Sequence, residues 1–155
     1  MRLILAAAIL SLSATATFAA GSAQAVLDRH VAAMKAGNLN AVMADYADNT
    51  LVIAPHGIAP GQTNVAGNDV FSGKANARKL FAVLTDKDHN PGAKAMTVSY
   101  EQRGNDVTLM HWVQFKGKPE QVSGTDTWII RGGKVIAQIV AVDPAPAPMM
   151  MMKKK

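Results

Sequence analysis

The chain has no cysteine, few aromatic residues, little charge and a single long apolar run, and each shortage closes off a class of answers. Without cysteine there is no disulfide, no thiolate nucleophile and no zinc–thiolate centre. Two Trp, two Tyr and four Phe give the core few large rings, so where each one points matters. Charge is 17% of the 155 residues, and its formal balance of +5 is carried by the ends. Leaving out Arg2 and the closing Lys153, Lys154 and Lys155, residues 26–143 hold 12 basic against 11 acidic side chains. A domain so balanced has no electrostatic footprint for nucleic acid, and none is expected as a partner. The apolar run LILAAAILSL follows Met1 and Arg2 and is too short to span a bilayer, so no stable membrane insertion is expected.

What is present at the two ends reads as processing and tail. The apolar run has the length of a signal-peptide core, and small residues accumulate after it, with cleavage expected after Ala20 or after Ala25. Residues 1–25 are therefore read as a signal peptide, and the mature protein as periplasmic or secreted. Residues 144–155 begin with the stiff PAPAP spacer and end in four Met and three Lys. They are read as a disordered tail, with contact to anionic lipid as the alternative.

Between these ends, residues 26–143 read as one domain. Val26, His30 and Met34 recur every four residues beside Leu27 and Val31, an apolar helical face that Gly37 ends. Asn38 is placed to cap a second helix carrying Leu39, Val42, Met43 and Tyr46 on one stripe. Residues 51–54 read as a short strand stopped by Pro55, His56 and Gly57, and residues 58–70 as a long loop with one edge strand. Ser72 is expected to cap a third helix whose Ala77, Leu80, Phe81 and Leu84 face inward, and Thr85 to Gly92 as a polar loop. Four alternating strands follow, separated by turns at residues 103–106, 116–118 and 131–134. Three helices and an antiparallel meander predict an α+β fold, with helices packed on a curved, mainly antiparallel sheet.

Polar residues in phase with apolar ones are the candidates for chemistry. Asp126 keeps phase with Val122, Trp128 and Ile130; His111 with Leu109 and Val113; His30 with Val26 and Met34. A carboxyl held in an apolar setting has its pKa raised, which suits a neutral hydrogen-bond donor or a general acid. Asp126, His30 and His111 are accordingly the candidate catalytic groups, with Tyr46, His56, Val113, Trp128 and Met34 as ligand-binding candidates. Trp112 alternates with His111 and is expected on the outer face. His56 beside Pro55 and His89 in the polar loop read first as loop residues. No close pair of histidines exists, so neither a metal site nor a cofactor is expected.

The run AVLDRHVAAMKAGNLNAVMADYADNTLVIAPHG at residues 25–57 resembles the opening of nuclear transport factor 2-like domains, above all ketosteroid isomerase and the SnoaL-like polyketide cyclases. Gly37 with Asn38, the YAD at residues 46–48, the SGK at residues 72–74 and GTDTWIIRGGKV at residues 124–135 carry the same likeness. The resemblance implies a cone closed by three helices, a mostly apolar pocket and a homodimer through the sheet. It also implies that Asp126 matches the aspartate that holds the substrate oxygen, that His30 stands at a tyrosine position, and that His111 stands at a pocket-wall position. The matching catalytic base position holds Ala54 before Pro55, so isomerisation of steroids by that route is not expected; for another acid-base reaction His56, two residues on, is the candidate for a displaced base if the strand continues that far.

Three readings remain open. The domain binds a small, largely apolar molecule. Or it is an isomerase-, cyclase- or dehydratase-like enzyme that moves a proton next to a carbonyl through Asp126 with His30 or His111. Or it is a dimeric interaction module with a filled pocket, contacting partners through residues 58–70 and 85–93.

Overall fold

Ser22 opens the first helix. Its hydroxyl oxygen accepts from the Ala25 N–H at 3.2 Å, and α1 (Ala23–Ala36) follows. Gly37 ends it in the left-handed conformation at φ 67°, where a side chain would be strained, and the Asn38 N–H closes back on the Ala33 carbonyl at 2.9 Å. The Asn38 side chain then accepts from the Ala41 N–H at 3.0 Å and starts α2 (Leu39–Ala44). The computed structural model describes residues 22–59, 63–65, 67–117 and 120–144. The leader side of the cleavage point after Ala20, and the tail after Pro144, lie outside those residues, whereas the point after Ala25 falls within the first turn of α1.

Helix α2 stops two residues short of Tyr46, which instead begins β1 (Tyr46–Pro55), a strand longer than residues 51–54. The pairing with β7 shifts register between Tyr46 and Leu51, and Asp48 and Asn49 in that interval are exposed, which hides the start of the strand from its apolar pattern. The stretch expected to be mostly loop holds a hairpin of β2 (Thr63–Val65) and β3 (Asn68–Ser72). Ser72 does not cap α3 (Lys74–Leu84). Gly73 takes that position at φ 80° without a side-chain cap, its N–H held by the Thr50 carbonyl at 2.8 Å. A short 3-10 helix over Pro91–Ala95 then leads into β4 (Thr97–Arg103), β5 (Val107–Gly117), β6 (Glu120–Arg131) and β7 (Lys134–Ile139).

The seven strands form one mixed sheet in the order β2-β3-β1-β7-β6-β5-β4. Every neighbouring pair is antiparallel except β1 and β7, which run parallel. The helices close the sheet into a cone. Val26, Leu27, Leu80, Phe81, Tyr46 and Trp128 are fully buried between them, each large apolar side chain contributing about 1.5–3 kcal/mol.

One expected strand face is reversed. On β5 the inward residues are Thr108, Met110 and Trp112, while His111 is exposed. Directly opposed residues of an antiparallel pair point the same way, and the register sets Trp112 against Gly124 and His111 against Thr125. With Gly124, Asp126 and Trp128 turned inward, the even-numbered residues of β5 must be inward too. The absence of a side chain at Gly124 supplies the room: a Cβ there would stand 2.4 Å from the Trp112 ring and 2.1 Å from the Ala141 carbonyl oxygen.

Candidate functional site

A cavity of about 460 Å³ lies between the helices and the inner face of the sheet. Its helical side is His30 and Met34 from α1 and Phe81, Val83 and Leu84 from α3. Ile58 and the His89 and Asn90 segment border it, and Met96 joins them just before β4. The sheet contributes Met110, Trp112 and Gln114 from β5, Val122 and Asp126 from β6, and Gln138 from β7, with Val140 and Val142 beyond. Most of this wall is apolar, as in small-molecule sites.

The polar wall is a connected set around Asp126. The Trp112 indole N–H donates to Asp126 Oδ1 at 2.7 Å, and the Gln138 amide donates to Oδ2 at 2.9 Å. Behind them, the Tyr46 hydroxyl donates to Gln138 Oε1 at 2.5 Å, which fixes the amide with its NH2 toward the carboxyl. All four residues are buried. Burial pushes the Asp126 carboxyl from its ordinary 3.8 up to about 7, while the N–H groups of Trp112, Gln138 and the Ala141 backbone pull the other way. The Tyr46 hydroxyl is raised well above 10, first by burial and then by the charge of Asp126, so it remains a proton donor.

His30 faces the same cavity in a different state. Trp128, Phe81 and Tyr46 surround its ring, with centroids at 4.7, 5.5 and 6.0 Å. Burial holds its imidazole down at about 3, against a weaker pull from Asp45, so it is neutral at ordinary pH. Its Nδ1 and the neighbouring Trp128 Nε1 are buried and find no hydrogen-bond partner among the described residues.

The candidates taken from sequence thus divide. Asp126, His30 and Met34 meet at the cavity; Tyr46 supports it through Gln138, and Trp128 backs His30. His111 lies on the outer face, bonded through Nδ1 to Thr125 Oγ1 at 2.9 Å, and Val113 shares that face. Neither reaches the cavity, for the register reason given above. His56 is also outside it: its Nδ1 pairs with Asp69 Oδ1 at 2.8 Å, and that bond is the main cause holding the Asp69 carboxyl below its ordinary value. Ala54, which the sequence resemblance set at the position of a catalytic base, is fully buried in the core and has no proton to move. His89, read as a plain loop residue, borders the cavity instead.

Sequence reasoning missed Trp112 and Gln138 as partners of Asp126. Gln138 had a visible signal, a lone amide on a strand face of valines and isoleucines. Trp112 was recoverable only from Gly124, once the hairpin register put the two opposite each other. Among the described residues no three His, Cys, Asp or Glu side chains gather closely enough to hold a metal ion. Among the same residues no helix is long and apolar enough to cross a membrane.

No family model matches the chain. Solved structures do resemble it. A nuclear transport factor 2-like protein of unknown function from Burkholderia xenovorans LB400 is 21% identical, with 81% of this chain and 87% of that one covered at a TM-score of 0.57. A candidate isomerase from Bacillus subtilis is 14% identical, covering 79% and 86% at a TM-score of 0.60. A de novo designed protein with a curved β-sheet is 16% identical, covering 78% and 84% at a TM-score of 0.59. At such identities the likeness is one of fold, and the chain has the nuclear transport factor 2-like fold. A designed neighbour underlines that this fold by itself dictates no activity.

Proposed function

We propose that this is an exported pocket protein that binds a small, largely apolar molecule and anchors one polar group of it at Asp126. The observation that carries the reading is a cavity of about 460 Å³ whose mostly apolar wall includes one buried, hydrogen-bonded carboxyl. That combination favours a ligand with an apolar body and a single polar end. An open cavity also counts against an interaction module with its pocket filled by side chains. Export is supported by the apolar run of residues 3–12 and the small residues that follow it.

The test is direct. Phenylbutanol, titrated into the protein by calorimetry with tryptophan fluorescence as a second signal, should bind and perturb Trp112. Met110→Trp, which fills the cavity from β5, should abolish binding. If phenylbutanol, phenylbutylamine and phenylbutyrate all fail to bind, the pocket reading falls.

One observation favours catalysis as a second reading. Asp126 is held near 7, where a general acid or base works best at neutral pH. On that reading Asp126 moves the proton of an isomerisation, cyclisation or dehydration next to a carbonyl. His30 lines the same space as a neutral partner, and His111 takes no part. Asp126→Asn would then remove turnover in an intact fold, whereas a binder would keep its ligand with weaker affinity.

A further inference from the structure

The N–H groups of Trp112 and Gln138 are aimed at Asp126 rather than into the space a ligand would fill, while Gln114 turns its amide to Met96 Sδ and Asn90 turns its own to the Leu84 carbonyl. Trp112 donates to one carboxyl oxygen, Gln138 to the other, and Tyr46 locks Gln138 in the orientation that makes it a donor. With both oxygens already receiving N–H groups, the carboxyl is arranged as an acceptor, and what it lacks is a further donor from the cavity side. Among the described residues no Lys or Arg lines this cavity; Lys35, Lys87 and Lys94 border a neighbouring recess that shares only Met34 and Asn90 with it. The cavity therefore holds a buried acid without a cation. A ligand carboxylate would meet that acid with nothing to offset the repulsion, while a ligand ammonium supplies the missing charge and the missing N–H donors together. The aromatic walls at Phe81 and Trp112 suit both the apolar body and a cationic head.

From this we infer that the ligand of the cavity is a small amine with an apolar body, its ammonium N–H groups donated to Asp126. The inference rests on the pocket reading above and names the chemical class of its ligand.

Three probes of matched shape separate the possibilities: phenylbutylamine, phenylbutanol and phenylbutyrate, each titrated into the full chain at pH 8. The expected order is amine tighter than alcohol by about tenfold or more, and acid weakest. Asp126→Asn should erase the preference for the amine, whose affinity should fall far more than that of the alcohol. A measurement on the unchanged protein serves if that variant does not fold: affinity for the amine, but not the alcohol, should weaken as the pH falls from 8 to 6. The other titratable groups at the cavity or in the hydrogen-bond set of the carboxyl are His30 from α1, already neutral, Tyr46 from β1, held protonated, and His89 before the 3-10 helix, paired with Asp86 at 3.1 Å. Alcohol binding as tight as or tighter than the amine overturns the amine inference and leaves the pocket reading standing. Failure of all three probes overturns both.

Discussion

Two buried titratable groups, His30 and Asp126, pull the pH dependence of folding in opposite directions. His30 is held at about 3 in the folded chain against an ordinary 6.5, so the unfolded chain takes up its proton first. Its contribution is lost as pH falls from about 6.5 to about 3. Asp126 is held at about 7 against 3.8, so the unfolded chain releases its proton first, and stability is lost as pH rises through that interval. Between roughly pH 4.5 and 6.5 each group has a slope of about 1.4 kcal/mol per pH unit, of opposite sign, and the two largely cancel. Asp69 and Asp86, both held below the ordinary carboxylate value, add acid sensitivity below that window. Urea unfolding across the window should therefore show a nearly flat stability for the unaltered chain. Asp126→Asn should expose the histidine, with stability climbing toward pH 6.5, and His30→Phe should expose the aspartate, with stability falling. Parallel profiles for all three chains would mean that neither group is desolvated as described.

At the scale of elements, the hairpin of β5 and β6 decides the shape of the site. Gly124 is the position where the strand lets the Trp112 ring lie against it, with the Ala141 carbonyl on the other side. A methyl group at Gly124 meets backbone as well as ring and cannot be absorbed by a flexible side chain. Gly124→Ala should cost about 1–3 kcal/mol or more and displace the indole from Asp126, so that ligand affinity drops along with the midpoint of chemical unfolding. An unchanged midpoint would mean that the hairpin register differs from Trp112 opposite Gly124. The same hairpin shows what a sequence can and cannot reveal. The α1–α2 corner was legible because Gly37 and Asn38 act locally, one through its φ and the other through its own side chain. The inward face of β6 was legible because Trp128 and Ile130 are too large to leave in water beside threonines. The inward face of β5 was not, since Val107, Leu109, Val113 and Phe115 form an alternation as apolar as the true one. Only pairing with β6 distinguishes them, and pairing is a property of two strands. The Tyr46–Gln138–Asp126–Trp112 set was hidden for the same reason, its members lying on four strands that meet only in the folded sheet.

For the whole molecule, that misleading alternation on β5 has a physical cause of its own, because the outer face of the sheet is also apolar. Phe115 and Ile139 are 49% and 46% exposed and Leu51 is 38% exposed, with Leu109, Val113 and Ile129 half-buried on the same side. On this face Glu101 pairs with Arg103 at 2.6 Å on the edge strand β4, and His111, Thr125 and Thr127 stand among the apolar side chains of the inner strands. A sheet face that leaves such apolar side chains exposed suits a two-fold contact between identical chains, and a second copy is the occupant we propose for it. A stable pair would cover about 800 Å² on each chain. Sedimentation at micromolar concentration should accordingly give twice the chain mass. Leu109→Glu combined with Ile139→Lys places charges on two of the central strands of that face, and should give a folded monomer that still binds its ligand, because neither residue touches the cavity. A monomer before any substitution would remove the dimer and leave the outer face without an occupant. A dimer that survives both charges would place the contact elsewhere on the cone.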